Sequence, residues 1–127
     1  MGLFDLFRSK SKNEKYGHLQ SLVALALSDG KLSEAEKEAI ELICQREGLT
    51  PNDLKKAISE VRYDAEHVFP SDNETKVRYL MDMVALMMVD GDINANEFVI
   101  CKVTARAMGY REEIIDAMIQ DIINGMK

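Results

Sequence analysis

The fold is decided by Val84–Glu97, "VALMMVDGDINANE", read against Val23–Glu36, "VALALSDGKLSEAE". Each is an apolar run at helical spacing that halts at Asp-Gly and restarts with a Glu six residues beyond the glycine. Glycine suits the left-handed residue just past a helix end, and Ser33-x-x-Glu36 is a capping box that opens the following helix. The unit is a helix, a tight acidic turn and a second helix.

One offset of 61 residues extends the correspondence without a gap. Leu19 falls over Leu80, Val23 over Val84, Asp29-Gly30 over Asp90-Gly91, Glu36 over Glu97, Gly48 over Gly109, Leu54 over Ile115 and Ile58 over Ile119. This is an internal duplication, the signature sought first in any chain. Each copy reads as three helices. In the first, Leu19, Leu22, Val23 and Ala26 form one apolar face, Ala39, Ile40 and Ile43 a second, and Leu54, Ala57, Ile58 and Val61 a third. The third opens at Thr50-Pro51, a cap followed by a proline that has no amide hydrogen to lose. In the second copy, Ser71 and Glu74 box a helix carrying Val77, Leu80, Val84 and Met88. Asn94 and Glu97 open another with Cys101, Thr104 and Met108, and the last holds Ile115, Met118, Ile119 and Ile122. No strand is needed. The expectation is an all-α, compact bundle of about six to seven helices built from two pseudo-symmetric three-helix repeats. Repeat 1 spans about 14–62 and repeat 2 about 71–123, within a domain of 14–127 that follows an arm of 1–13. In the connection from Tyr63 to Pro70, Val68 and Phe69 are expected against the core.

The acidic turns have two readings. Placing Gly91 at position six of a calcium loop puts Asp90 at five, Asp92 at seven, Asn94 at nine and Glu97 at twelve, but Leu86 and Met88 then stand where the first two carboxylates belong. In the other reading the glycines end helices, Glu36 and Glu97 cap the next ones, and Asp29 and Asp90 accept loop amide hydrogens as Asx-turns. An Asp at a helix C-terminus opposes the dipole by about 0.3 to 1 kcal/mol, so its presence in both copies asks for a compensating donor or a cation. The second loop is the richer in oxygen ligands. If the symmetry brings both loops together, Asp29 and Glu36 contribute to one shared site.

Paired at this spacing, "LALSDGKLSEAE" and "LMMVDGDINANE" make the chain, from about Glu14 to Ile123, resemble the TerB-like domain of bacterial tellurite-resistance and stress proteins. The resemblance implies an all-helical fold and divalent-metal binding, by calcium or magnesium, through the acidic positions Asp29, Glu36, Asp90 and Glu97. It implies a role near the inner membrane with other stress-response components. It points to a non-enzymatic interaction or scaffold domain, with a metal sensor as the alternative. The copies diverge within the loops, Lys31 facing Asp92, Glu34 facing Ala95 and Ala35 facing Asn96, so two equivalent sites are not expected.

Composition agrees with a helical domain. Among 127 residues, 46% are hydrophobic and 30% charged, with 2 Pro and no Trp. A net charge of -6 argues against nucleic acid as a partner, since phosphate neutralisation needs a basic face. Cys44 and Cys101 lie in apolar helical patterns and read as small hydrophobes in a reducing cytoplasm. No apolar run approaches the ~20 residues of a membrane span. At the start, "MGLFDLFRSKSK" sets Leu3, Leu6 and Phe7 on one helical face with Phe4 beside it, then adds Arg8, Lys10 and Lys12. Residues 1 to 15 carry a net +2, against -6 for the whole chain. Such a stripe suits either peripheral contact with an anionic membrane surface or docking on protein. Neither His18 nor His67 belongs to a metal or nucleophile pattern, and no phosphate loop or zinc signature is present, so no enzyme is expected.

Overall fold

The computed structural model describes the backbone of residues 3–61, 69–91 and 93–125, with side chains from Lys12 onward in those ranges. Six α-helices and one short 3-10 turn account for its regular structure, and no strand occurs among the described residues. In chain order they are α1 (Leu3–Ala26), the 3-10 turn (Leu27–Asp29), α2 (Glu34–Glu47), α3 (Pro51–Ser59), α4 (Asn73–Met88), α5 (Ala95–Ala107) and α6 (Glu113–Gly125).

Helices α1 and α4 are the central pair, packed on each other and each flanked by the other elements of the bundle. Their sequences dictate this. Leu19, Leu22, Val23 and Leu25 of α1 and Leu80, Met83 and Val84 of α4 are all but completely buried. A helix apolar on more than one face buries most of its surface and sits at the centre. Helices α2, α3, α5 and α6 each bury a single stripe, through Ile40 and Cys44, Leu54 and Ala57, Cys101 and Ala105, and Ile115 with Met118 and Ile119. Each fully buried Leu or Ile contributes about 1.5–3 kcal/mol.

The helix ends follow the capping logic with two changes. Ser33 and Glu36 form the expected box, and Thr50 forms a second one with Asp53, each side chain accepting the other's amide hydrogen. Gly48 and Gly109 adopt left-handed backbones, φ 74° and 97°, and the next residues close the loop, Leu49 N–H donating to Cys44 O and Tyr110 N–H to Ala105 O. The expected box at Ser71 and Glu74 is not formed. Asp72 is the N-cap of α4, its carboxylate taking both the amide and the hydroxyl of Thr75 at 2.9 and 2.7 Å. A carboxylate gains from the helix dipole where a hydroxyl does not, which selects Asp72 over its neighbour. Ile58, expected in the core, is 36% exposed near the C-terminal end of the nine-residue α3, although Leu54 one turn before it is buried. Phe69 packs against the core as expected, whereas Val68 lies outside the described residues. Helix α1 runs unbroken through residues read as the arm and residues read as the domain. No helix among the described residues is long and apolar enough to cross a membrane.

Candidate functional site

The two Asp-Gly turns meet. Each glycine is left-handed, φ 99° at Gly30 and 89° at Gly91, a conformation that allows the chain to leave one helix and enter the next within a few residues. The 3-10 turn carrying Asp29 packs against α5, which begins just after Asn94. Across this junction the Ser33 hydroxyl donates to both carboxylate oxygens of Asp90 at 3.3 Å, joining the N-cap of α2 to the second turn.

Four carboxylates lie around this junction with unequal roles. Asp29 and Asp90 are exposed at the rim, whereas Glu36 and Glu97 are 2% and 6% exposed. Asp29 accepts the Lys31 amide hydrogen at 3.2 Å, the Asx-turn expected of it. Glu36 is held by its capping box, its Oε1 accepting Ser33 N–H at 3.1 Å. Glu97 has no such engagement. Asn94 caps α5 by accepting the Asn96 and Glu97 amides at 2.9 and 3.2 Å, but the reciprocal bond is not formed, and Glu97 Oε2 is buried with no hydrogen-bond partner among the described residues. A buried unpaired carboxylate oxygen is costly, and something must answer it.

The electrostatics tell the same story. Burial, then the charges of Glu36, Asp29 and Asp90, push the Glu97 carboxyl up to about 7. Burial also raises Glu36, against the bonds from Ser33 and with Asp90 and Asp29 adding to the rise. Like charges gathered in a partly desolvated place resist ionisation, and a proton or a cation relieves them.

Among the described residues no three His, Cys, Asp or Glu side chains are grouped so as to hold a metal ion. The calcium-loop register does not hold either: Leu86 and Met88 are part of α4, Leu86 is buried, and Asn94 has its oxygen committed to two amides. Asp92 lies outside the described residues. Of the proposed membrane or partner residues, Leu3, Phe4, Leu6, Phe7, Arg8 and Lys10 lie on the first turns of α1, and their side chains are outside the described set. Ser33 was missed as a site residue because its role across the junction depends on tertiary contact.

A second polar cluster was also missed. His18 stacks on Tyr79 with centroids 3.8 Å apart and planes within 2°, and its Nε2 donates to Asp82 at 2.8 Å. Asp82 also accepts both arms of Arg46, at 3.0 and 2.5 Å, and Arg46 continues to buried Glu47, which Arg78 reaches from α4. Burial lowers the His18 pKa despite Asp82, while burial of Asp82 is outweighed by His18 and Arg46, so its carboxyl stays below the ordinary range. One signal was readable: the offset of 61 places His18 over Tyr79, the two rings that stack. The cluster has the character of a buried joint between α1, α2 and α4. His67 lies outside the described residues. Comparison with protein-family models, with curated proteins and with solved structures finds no match to this chain, so the reading of its site rests on its own residues.

Proposed function

We propose that the protein is a TerB-like, non-enzymatic domain, built as a duplicated three-helix unit, that binds a divalent cation at its paired acidic turns. The observation that carries this is Glu97 Oε2, a carboxylate oxygen that is buried and unpartnered beside Glu36, Asp29 and Asp90. Oxygen donors of this kind fit a hard cation such as calcium or magnesium, which supplies the positive charge that the site lacks. Capping explains Glu36, whose Oε1 accepts Ser33 N–H, and does not explain Glu97. Thermal unfolding of chelator-stripped protein with and without CaCl2 or MgCl2 tests it. Stabilisation should reach about 2.7 kcal/mol at a hundredfold excess over the dissociation constant. An unchanged transition at millimolar concentrations of both salts removes the cation reading.

A second observation favours an interaction or scaffold role in a stress-response assembly. Leu42 on α2 and Val103 on α5 are 65% and 50% exposed, and they occupy equivalent places under the offset of 61. Val99, one turn before Val103, is 57% exposed. Exposed apolar side chains on helices equivalent under the repeat are what a protein partner covers. The amphipathic, basic start of α1 belongs to this reading as a contact with partner or membrane surface, in a protein placed in the cytoplasm near the inner membrane. Deleting residues 1–12 and measuring co-sedimentation with anionic vesicles separates the two surfaces: association that survives the deletion assigns no membrane role to the arm.

A further inference from the structure

We infer that the exposed apolar side chains of α2 and α5 are covered by a second copy of this chain, the outer face of α2 in one copy packing against the outer face of α5 in the next. The inference rests on the interaction reading above and names its partner. It starts from the repeat. Under the offset of 61, α2 and α5 are the same element, and Leu42 and Val103 hold the same place on their outer faces. Around that place the two faces carry opposite charge.

On α2, Glu34, Glu38 and Glu41 are exposed around Leu42. The cations of this helix do not balance them, because Arg46 is already bound to Asp82 and Glu47, which leaves Lys37. On α5 the positions equivalent to Glu34, Glu38 and Glu41 hold Ala95, Val99 and Lys102, and the equivalent of Gln45 is Arg106. That face is apolar and basic. Lys102 lies over the Phe98 ring, 4.2 Å from its centroid, and Arg106 reaches Glu112 at 3.7 Å with both side chains exposed, so neither cation is buried in its contact. The shapes are complementary as well. Leu42 is the most exposed large apolar side chain among the described residues. Beside Val99, a shallow hollow of about 380 Å3 opens between the 3-10 turn and α5, lined by Ser28, Asn96, Val99 and Ile100, and it has room for a leucine side chain.

Helices α2 and α5 make no contact with each other among the described residues, so these faces do not meet within one chain. Between copies they fit. On both helices the charged edge lies on the same side of the apolar positions, and antiparallel pairing sets the acidic edge beside the basic one, with Leu42 against Val99 and Val103. Antiparallel axes also bring opposite dipole ends together. A partner for this chain must be acidic for one face and basic for the other, and the chain itself presents both. The contact is heterologous, one face against a different face of the next copy. Helices of 14 and 13 residues are each about 20 Å long. One such contact buries less than the ~1,200 Å2 of a standard interface, so association is weak and rises with concentration.

The test is sedimentation velocity of the full-length chain from micromolar to millimolar concentration, in chelator and at low salt, with Leu42→Lys on the α2 face and Val103→Glu on the α5 face. Both positions are exposed, and circular dichroism reports the folding of each variant. Glu38→Lys and Val99→Glu replace either one that does not fold. The wild type is expected to associate reversibly, about tenfold more weakly in 0.5 M NaCl, where the charged edges are screened. Each variant should associate at least tenfold more weakly than the wild type. An equimolar mixture of the two should recover association, since the intact α5 face of one meets the intact α2 face of the other. A wild type that stays monomeric throughout overturns the inference and leaves the partner surface for another protein. Loss in only one variant, or a mixture no stronger than its components, shows that the two faces do not pair and overturns it too. Association that neither variant weakens overturns the inference and withdraws Leu42 and Val103 from the interaction reading as well. Association unchanged by salt overturns the charge pairing that selects a second copy.

Discussion

Glu97 shows how one side chain changes character with its surroundings. In sequence it stands where Glu36 stands, three residues after an N-cap, and the same box is the natural expectation for both. Ser33 completes that box and Asn94 does not, leaving Glu97 buried with an idle oxygen and a carboxyl raised to about 7, against an ordinary 4.5. A raised carboxyl binds its proton more tightly in the folded state. Its contribution to stability is therefore full below pH 4.5 and disappears as pH rises through 7. In the presence of chelator, the stability of the wild-type chain relative to Glu97→Gln should fall by about 2.5 kcal/mol between pH 5 and pH 8. Urea denaturation of both proteins at the two pH values measures it. A difference independent of pH would return Glu97 to an ordinary carboxylate. Calcium added at pH 8 should restore stability to the wild type and leave Glu97→Gln unchanged.

Among the helices, the joint at Asp82 holds three together. His18 comes from α1, Arg46 from α2 and Asp82 from α4, and the carboxylate is the acceptor for both of the others. Removing it leaves the buried His18 Nε2 without its acceptor, so Asp82→Ala should cost about 2 kcal/mol in denaturant unfolding. Arg46→Ala should cost less, because 42% of that side chain is exposed and water replaces its bonds. Equal losses from the two substitutions would mean that the ion pair, and not the buried histidine contact, carries the joint. The caps are the elements most legible in the chain. Ser33, Thr50 and Asn94 are all N-caps in the structure, as their spacing from Glu36, Pro51 and Glu97 indicates. The start of α4 was displaced by one residue because Ser71 and Asp72 are both good caps, and the preference between them depends on which oxygen reaches Thr75.

At the scale of the whole molecule, the thiols report how the bundle opens. Cys101 is completely buried and Cys44 is 6% exposed, and burial raises their pKa values to about 12 and about 11. Neither offers a thiolate near neutral pH while the protein is folded. Cys44 lines a shallow cleft between α2 and α3 with Glu41, Leu49 and Leu54, whereas Cys101 is enclosed in the core beside α4. Alkylation at pH 8 followed by mass spectrometry should label Cys44 first, through local opening of the α2–α3 corner, and Cys101 only at the rate of global unfolding. Simultaneous labelling would show that the bundle opens as one unit.

Alternation of apolar and polar residues at helical spacing, glycine at helix ends and paired capping residues are local properties, and they made legible the all-helical class, the three helices of each repeat, most of their ends and most of the core positions. Reading failed where a residue's fate depends on a distant partner. Ile58 follows the apolar spacing of α3 and still faces water, because the neighbour that would cover it is a matter of how the helices are arranged. The stacking of His18 on Tyr79, the bond from Ser33 to Asp90 and the unpaired oxygen of Glu97 all join residues more than fifty positions apart or depend on such a junction. They arise on folding, since burial and charge proximity act through space, while periodicity and capping act along the chain.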